Sequence, residues 1–182
     1  NFSNQTKVAG LEAPKIGSTS VAMGDIDGDG DLDIYVTNYG ATSVLRSGGK
    51  VSVRTVNGKQ VVTGRYSNRI RIVKGSFVEI GEPDILYIND GNAKFTKVNW
   101  LDGNWLDESG QPIKKEFWDL GLSVMIRDIN QDGLPDIYNC NDFQTPDRLW
   151  INKGNGKFQL VNEMSIRHRS YFAMAVDFAD IN

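Results

Sequence analysis

The chain has 182 residues, of which 40% are hydrophobic and 24% are charged, and its net charge is −3. This length is enough for a domain with a buried core, and the acidic balance argues against nucleic acid as a partner because phosphate would be repelled. No run of about eighteen apolar residues occurs, so the sequence predicts no membrane span. The single cysteine, Cys140, excludes a disulfide within the chain, and we expect a half-buried strand residue there.

The first strongly patterned segment is an aspartate-rich loop between two strand-like stretches. Oxygen-bearing side chains occupy loop positions 1, 3, 5 and 9, which are Asp25, Asp27, Asp29 and Asp33. Glycine follows position 5 and permits a sharp turn, and the carbonyl of Asp31 at position 7 can supply a further ligand. Clustered carboxylates repel one another unless a cation joins them, and hard oxygen donors in a flexible loop favour Ca²⁺. The spacing therefore predicts a calcium site.

A basic insertion over residues 40–82 follows. Residues 51–62 read as a hairpin with a type I′ Asn-Gly turn, and residues 70–80 add further strands. From residue 46 to residue 80 eight basic side chains accompany one acidic side chain, an excess of seven positive charges. Two interpretations stay open: a surface that contacts a polyanion through Arg54, Arg69 and Arg71, or a solvated hairpin whose charges prevent edge aggregation.

Two sixteen-residue segments, 83–98 and 146–161, align without gaps and agree at ten positions. Each predicts a β-hairpin, with a Leu-aromatic-Ile alternation, an Asn/Gly turn and a second strand that starts at Lys-Phe. Between them, residues 100–118 form a second insertion that holds three of the four tryptophans. Aromatic side chains on loops can stack on sugar rings, but here we favour a core role.

The second hairpin is preceded by a copy of the aspartate-rich loop. Its side-chain ligands at positions 1, 3, 5 and 9 are Asp128, Asn130, Asp132 and Asp136, and the carbonyl of position 7 belongs to Leu134. Position 12 holds Val36 in the first loop and Asn139 in the second, where an EF-hand needs glutamate. Strand-like residues follow both loops, so we expect the loops to connect strands.

The duplicated loops and hairpins define a repeating unit of strand, calcium loop, strand and hairpin. A four-stranded sheet of this kind cannot bury both faces alone, so several units are expected to stack around an axis. The segments at 21–33 and 149–158 resemble the FG-GAP/VCBS repeats of integrin α-subunit propellers, and they look most like bacterial extracellular proteins related to cartilage acidic protein. In that family the repeats are β-propeller blades with Ca²⁺ between the first two strands of a blade.

The resemblance implies an all-β chain of four-stranded antiparallel blades that forms one incomplete propeller over residues 1–182. The implied units are the last strand of a preceding blade (2–11), a blade with the insertion 40–82 (17–99), a second blade (118–164) and the start of a third (170–182). Asp180 and Asn182 match positions 1 and 3 of a third calcium loop. Because a propeller needs about four to eight blades, we expect either a fragment of a longer protein or open ends that pair with neighbouring chains.

The predicted calcium loops bear on location, because such loops in extracellular modules fill only where calcium is near millimolar. We therefore expect a secreted or cell-surface protein. Asn1 and Asn4 begin glycosylation sequons that matter only in a host with the machinery to modify them.

Catalytic motifs are sparse. The only histidine, His168, lies between two arginines, and the loop aspartates are committed as metal ligands, so we predict no enzyme. Three functions remain open: a calcium-rigidified scaffold for adhesion to an extracellular protein or polysaccharide, a subunit of a self-assembling filament or surface layer made of copies of the chain, and a carbohydrate-binding propeller.

Overall fold

A computed structural model describes residues 3–13, 16–41, 43–143, 145–162, 165 and 173–179. Within these ranges the chain folds into β-strands and contains no α-helix. The strands are β1 (Ser18–Gly24), β2 (Asp33–Asn38), β3 (Ser52–Val56), β4 (Lys59–Thr63), β5 (Ile70–Val73), β6 (Ser76–Glu79), β7 (Ile85–Asn89), β8 (Phe95–Lys97), β9 (Trp105–Leu106), β10 (Gly121–Arg127), β11 (Asp136–Asn141), β12 (Arg148–Asn152) and β13 (Phe158–Leu160).

Two sheets have the same plan. The first has the order β1-β2-β7-β8 and the second has the order β10-β11-β12-β13, with all neighbours in these two series antiparallel. The duplicated hairpins pair in the same register, because Asn89 opposes Phe95 in one and Asn152 opposes Phe158 in the other. The predicted four-stranded antiparallel blades are therefore confirmed, and they do not close into a ring in the described part of the chain.

The second insertion extends the second sheet. Its strand β9 runs parallel to β13, with Trp105 opposite Phe158. Trp100 and Trp105 are 4% and 1% exposed and pack around the fully buried Trp150, with ring centroids 4.1–5.6 Å apart. The favoured core role is thus confirmed for Trp100 and Trp105, which belong to the main hydrophobic core together with Trp150. The third tryptophan of the insertion, Trp118, is half-buried and lies outside this core.

The basic insertion consists of two hairpins. Strands β3 and β4 flank a two-residue turn in which Asn57 and Gly58 have φ of 50° and 75°, as the predicted type I′ turn requires. Strands β5 and β6 flank a second such turn at Lys74 and Gly75, with φ of 49° and 80°. Every residue of β3 is exposed, so this hairpin projects from the blade and contributes little to the core.

The two blades pack against each other through polar as well as apolar contacts. Asn152 donates from its side-chain amide to the carbonyl of Ile26, at 2.8 Å, and Thr19 donates its hydroxyl to the carbonyl of Gly121, at 2.7 Å. Between the end of the basic insertion and the start of the second blade, the Gly81 N–H donates to the Trp118 carbonyl at 3.0 Å. A Cβ at position 81 would overlap the backbone of Asp119, so only glycine fits there.

The described residues near the two ends of the sequence, 3–13 and 173–179, do not form the strands that the sequence predicts there. Residues 6–10 form a turn and not the strand expected over 2–11, because local bonds such as Leu11 N–H to the Thr6 carbonyl, at 3.0 Å, curl the backbone. Two hydrogen bonds still join this segment to the edge of the first blade: the Phe95 N–H donates to the Ala9 carbonyl at 2.7 Å, and the Lys94 ammonium donates to the Val8 carbonyl at 2.6 Å. Residues 173–179 contain no assigned strand, but Phe178 packs on Tyr138 with ring centroids 5.3 Å apart.

Candidate metal centres

The first loop lies between β1 and β2, and its own side chains hold the backbone in a tight curve. The carboxylate of Asp25 accepts the N–H groups of Gly28, at 2.8 Å, and Gly30, at 3.1 Å. Asp29 accepts the N–H of Asp31 at 3.1 Å. The two glycines have φ of 81° and 95°, a region that side chains disfavour, so the turn depends on them. The loop is thus shaped by hydrogen bonds from its own backbone N–H groups to its own carboxylates.

Three carboxylates of this loop converge. Asp25, Asp27 and Asp29 each bring a potential ligand oxygen within 4.8 Å of the others. The pKa of Asp27 is raised from its ordinary value, first by burial and then by the charges of Asp29 and Asp25. A divalent cation among the three would relieve this repulsion, and an all-oxygen donor set suits Ca²⁺ better than Zn²⁺. The residues present therefore fit the predicted ion.

The remaining two aspartates of the first loop behave differently from these three. Asp31 has one carboxylate oxygen, Oδ1, that is buried and without a hydrogen-bond partner among the described residues. Desolvation and the charges of Asp29 and Asp27 raise its pKa. Asp33 is fully buried and accepts the N–H groups of Ile26, at 2.8 Å, and Asn89, at 2.9 Å. Asp33 thus fastens the loop to β7, a role that the spacing argument missed.

The second loop, between β10 and β11, repeats this arrangement. Asp128 accepts the N–H groups of Asp132, at 3.1 Å, and Gly133, at 2.8 Å. Asp132 in turn accepts the N–H of Leu134 at 3.0 Å. Asp136 is fully buried and accepts the N–H groups of Ile129, at 2.9 Å, and Asn152, at 2.8 Å, and burial raises its pKa. The fastening of position 9 to the third strand is therefore a property of both blades.

The two loops differ in charge. The first contains five carboxylates over residues 25–33, whereas the second contains three over residues 128–136. Asn130 replaces one carboxylate and donates its amide to Asp132 at 2.9 Å. Because the affinity of an oxygen site for Ca²⁺ depends on the charge of its ligands, the first loop is the stronger candidate.

A second polar feature is also duplicated, and in each blade it joins the second strand to the segment just before the third strand. Asp84 and Asp147 each follow a proline and accept two equivalent groups: the hydroxyl of Tyr35 or Tyr138, and the N–H of the asparagine at the end of the second strand. Burial, and next the charge of Asp119, raises the pKa of Asp84 to about 8. The sequence carries a signal for this pair, because the motifs Asp-Ile-Tyr-x-x-Asn and Pro-Asp occur in both blades.

The proposed polyanion contacts separate into two kinds. Arg54 and Arg71 are exposed, as a contact surface requires. Arg69 is 8% exposed and is wrong as a surface contact, because its guanidinium pairs with Glu79 at 3.4 Å and with Glu82 at 3.2 Å. This pairing could not be predicted from the sequence, because Glu82 lies outside the basic segment 46–80 and only the folded chain brings it to Arg69.

Several other predicted residues can be placed briefly. Cys140 is 1% exposed and lies in the central strand β11 of the second sheet, which corrects the expected half-buried position. Asn4 is exposed, and its side-chain oxygen accepts the N–H of Thr6 at 3.0 Å. Four of the residues that were singled out from the sequence lie outside the described part of the chain, namely Asn1, His168, Asp180 and Asn182.

Comparisons with known families match the two loop-bearing regions. The family model described as FG-GAP repeat matches residues 18–53, and the model described as FG-GAP-like repeat matches residues 128–182. No curated protein gave a significant match. The first matched range contains one candidate metal loop with both flanking strands, and the second contains the other loop with the strand β11 that follows it. The duplication seen in the structure and the family matches therefore agree. Neither match separates relatives of cartilage acidic protein from other proteins with these repeats.

Proposed function

The chain is an FG-GAP repeat protein, and on this premise we propose that it is an extracellular calcium-binding scaffold. In this proposal one Ca²⁺ occupies each of the two loops and makes the blades rigid. The surfaces away from the loops then contact a partner, which is an extracellular protein, a polysaccharide or a copy of the chain. The role is binding and not catalysis.

The observation that carries the proposal is the conserved geometry of the two loops within one chain. In both, position 1 accepts two loop N–H groups, position 5 accepts the N–H of position 7, and position 9 accepts one N–H from the loop and one from the third strand. A frame of this kind holds carboxylates together at an electrostatic cost that a solvated turn would not need. Binding of a cation explains why the cost is tolerated in the first loop, where three carboxylates converge, and the second loop repeats the same frame.

The chemistry of the loops supports the extracellular location in this proposal. Calcium sites of extracellular modules have Kd values of about 10⁻⁴ to 10⁻³ M, so they fill outside cells and not in cytosol. At an ion concentration a hundredfold above Kd, each site adds about 2.7 kcal/mol of stability. Among the residues that the structure describes, no helix has the length and apolar character to cross a membrane.

The non-enzymatic role is supported by the state of the one thiol. Cys140 is buried, and burial together with the charge of Asp147 raises its pKa to about 12. A reactive cysteine needs a lowered pKa and access to solvent, so Cys140 suits packing and not nucleophilic attack.

The proposal is tested by thermal unfolding with and without calcium. Relative to protein in 10 mM calcium, chelation with EDTA is expected to lower Tm by about 3–10 °C per emptied site, because calcium at about ten to a hundred times Kd contributes about 1.4–2.7 kcal/mol. Asp29→Ala should remove the contribution of the first loop and leave that of the second. The hydrogen bond that Asp29 accepts from the Asp31 N–H is exposed, so its removal costs little besides the ion.

Asp102→Ala is the matched control for this experiment. Asp102 makes the same kind of exposed bond, to the N–H of Asn104 at 2.8 Å, but lies in the second insertion. The control should respond to EDTA as the parent protein does. An unchanged Tm after chelation, or equal responses of the two variants, would contradict the calcium role.

A further inference from the structure

An apolar pocket lies where the basic insertion meets the second blade, and we call it the seam pocket. Its volume is about 200 Å³. The lining residues come from the segment after β2, from β6 and from the second blade, and they are Tyr39, Ser43, Leu45, Arg46, Phe77, Val78, Glu79, Leu120 and Phe143. The pocket therefore exists only because the insertion folds back onto the neighbouring blade.

The seam pocket gathers large apolar side chains that are open to solvent. Leu45, Phe77 and Phe143 are 40%, 47% and 39% exposed. Exposed apolar side chains that converge in this way mark an interaction site more often than isolated ones do. The volume is below the roughly 300–1,000 Å³ of sites for drug-sized ligands, so the pocket has room for a single apolar side chain.

The polar groups of the seam pocket decide the charge of its ligand. Glu79 is already occupied, since it accepts the N–H groups of Val44, at 2.7 Å, and Leu45, at 3.0 Å, and pairs with Arg69. Tyr39 donates its hydroxyl to Asp142 at 3.0 Å. Arg46 is exposed, has its guanidinium carbon 5.5 Å from the centroid of the Phe143 ring, and has no ion pair among the described residues. The carboxylate of Asp142 accepts a second hydrogen bond, from the Phe143 N–H at 3.0 Å, so the charged side chain of the lining that is available to a ligand is Arg46.

The surface beside the seam pocket is also positive. Residues 40–82 carry eight basic and two acidic side chains, a net charge of +6, while the whole chain carries −3. Both acidic side chains pair with Arg69, and the other seven basic side chains are exposed. One of them, Arg71, stands opposite Val78 of the pocket lining in the β5–β6 hairpin. A ligand in the pocket thus meets Arg46 at the lining and Arg71 beside it.

We propose that the seam pocket docks an acidic protein segment that inserts one apolar side chain and places neighbouring carboxylates on Arg46 and the cations of the hairpins. A polysaccharide would satisfy the charge but offers no apolar side chain for the pocket, which favours a protein. This inference names the partner class of the proposed scaffold and rests on that function. Complementary charge would then set encounter rate and orientation, and the apolar anchor would set affinity.

The test uses fluorescence anisotropy with two labelled acidic peptides added to the full chain in millimolar calcium. One has the sequence DEFED and the other DEAED, so they differ only in the anchor. We expect saturable binding of DEFED below about 1 mM and at least about fivefold weaker binding of DEAED. Binding should also weaken with added salt, because exposed charges are screened.

Two variants and two controls locate the site. Arg46→Glu and Phe77→Ser should each weaken DEFED binding about tenfold or more. Lys153→Glu changes the same charge on the second hairpin, and Leu101→Ser removes a side chain that is 50% exposed outside the pocket, so neither should alter binding. Circular dichroism and Tm establish that all four variants are folded.

Three outcomes would overturn the proposal. They are no binding of DEFED, equal binding of DEFED and DEAED, and equal losses in the variants and their controls. Retention on heparin that depends on Arg54 and Arg71 but not on Phe77, without peptide binding, would identify a polysaccharide surface instead. Calcium binding is measured separately by titration calorimetry, so failure of the scaffold function is distinguishable from failure of this docking site.

Discussion

At the scale of single residues, the ninth position of each loop has a structural function besides any contact with an ion. Asp33 and Asp136 are fully buried and accept backbone N–H groups from the loop and from the third strand. A buried carboxylate that satisfies two N–H groups stabilises the fold whether or not metal is bound. Asp27 and Asp29, at positions 3 and 5 of the first loop, do not stabilise the fold in this way, because the hydrogen bonds that they accept are local and exposed.

This difference predicts different stability effects in calcium-free buffer. Asp33→Ala should lower the free energy of unfolding by about 2–4 kcal/mol, because two backbone N–H groups lose their acceptor. Asp29→Ala should change it by no more than about 0.5 kcal/mol under the same conditions. Urea unfolding in EDTA measures both. Equal effects of the two substitutions would show that position 9 has no separate structural function.

A second residue-scale prediction concerns pH. The pKa of Asp84 is about 8 in the folded state against 3.8 for the ordinary side chain. Between these values the folded state holds a proton on Asp84 that the unfolded state has released. The contribution of Asp84 to the free energy of unfolding is therefore largest at low pH and falls as pH rises toward 8. The contribution of one such group changes by at most about 1.4 kcal/mol per pH unit.

The variant Asp84→Asn cannot titrate and serves as the reference. Urea unfolding of both proteins at pH 5, 6, 7 and 8 gives the difference in their free energies of unfolding. The parent protein should lose stability relative to the variant as pH rises across this range. Parallel curves would mean that Asp84 is ionised in the folded protein throughout.

At the scale of elements, the hairpins were predictable and their anchoring was not. The Asn-Gly turn and alternating side chains identify β3 and β4 because turn geometry is a local property. The two-residue strand β9 exists only through its pairing with β13, so no local pattern could reveal it. The same holds for Arg69, whose partners Glu79 and Glu82 are 10 and 13 residues away in the chain.

Arg69 therefore anchors the insertion, and its replacement has a predictable cost. Arg69→Met should lower the free energy of unfolding by about 3 kcal/mol, because two carboxylates that are only 14–15% exposed lose their counter-charge. Arg54→Met removes the same charge from the exposed strand β3 and should change stability by less than about 0.5 kcal/mol. Chemical denaturation compares the two. A loss of similar size in both variants would contradict the anchoring role.

At the scale of the whole molecule, the repeat was the feature that could be predicted with most success. Two aligned hairpins and two aspartate loops were enough to predict two four-stranded blades, because each element had a strong local pattern and a second copy. The contacts between blades escaped prediction, since groups such as Asn152 and Ile26 are 126 residues apart and meet only in the packed structure. The domain boundaries drawn at residues 17, 99, 118 and 164 stay predictions.

The central claim is that a divalent ion joins the carboxylates of each loop, and crystallography in millimolar calcium tests it most directly. An anomalous difference map should show one strong peak within ligand distance of Asp25, Asp27 and Asp29, and a second near Asp128 and Asp132, with oxygen ligands at about 2.3–2.6 Å. Water alone in both loops, at full occupancy and ordinary hydrogen-bond distances, would contradict the account.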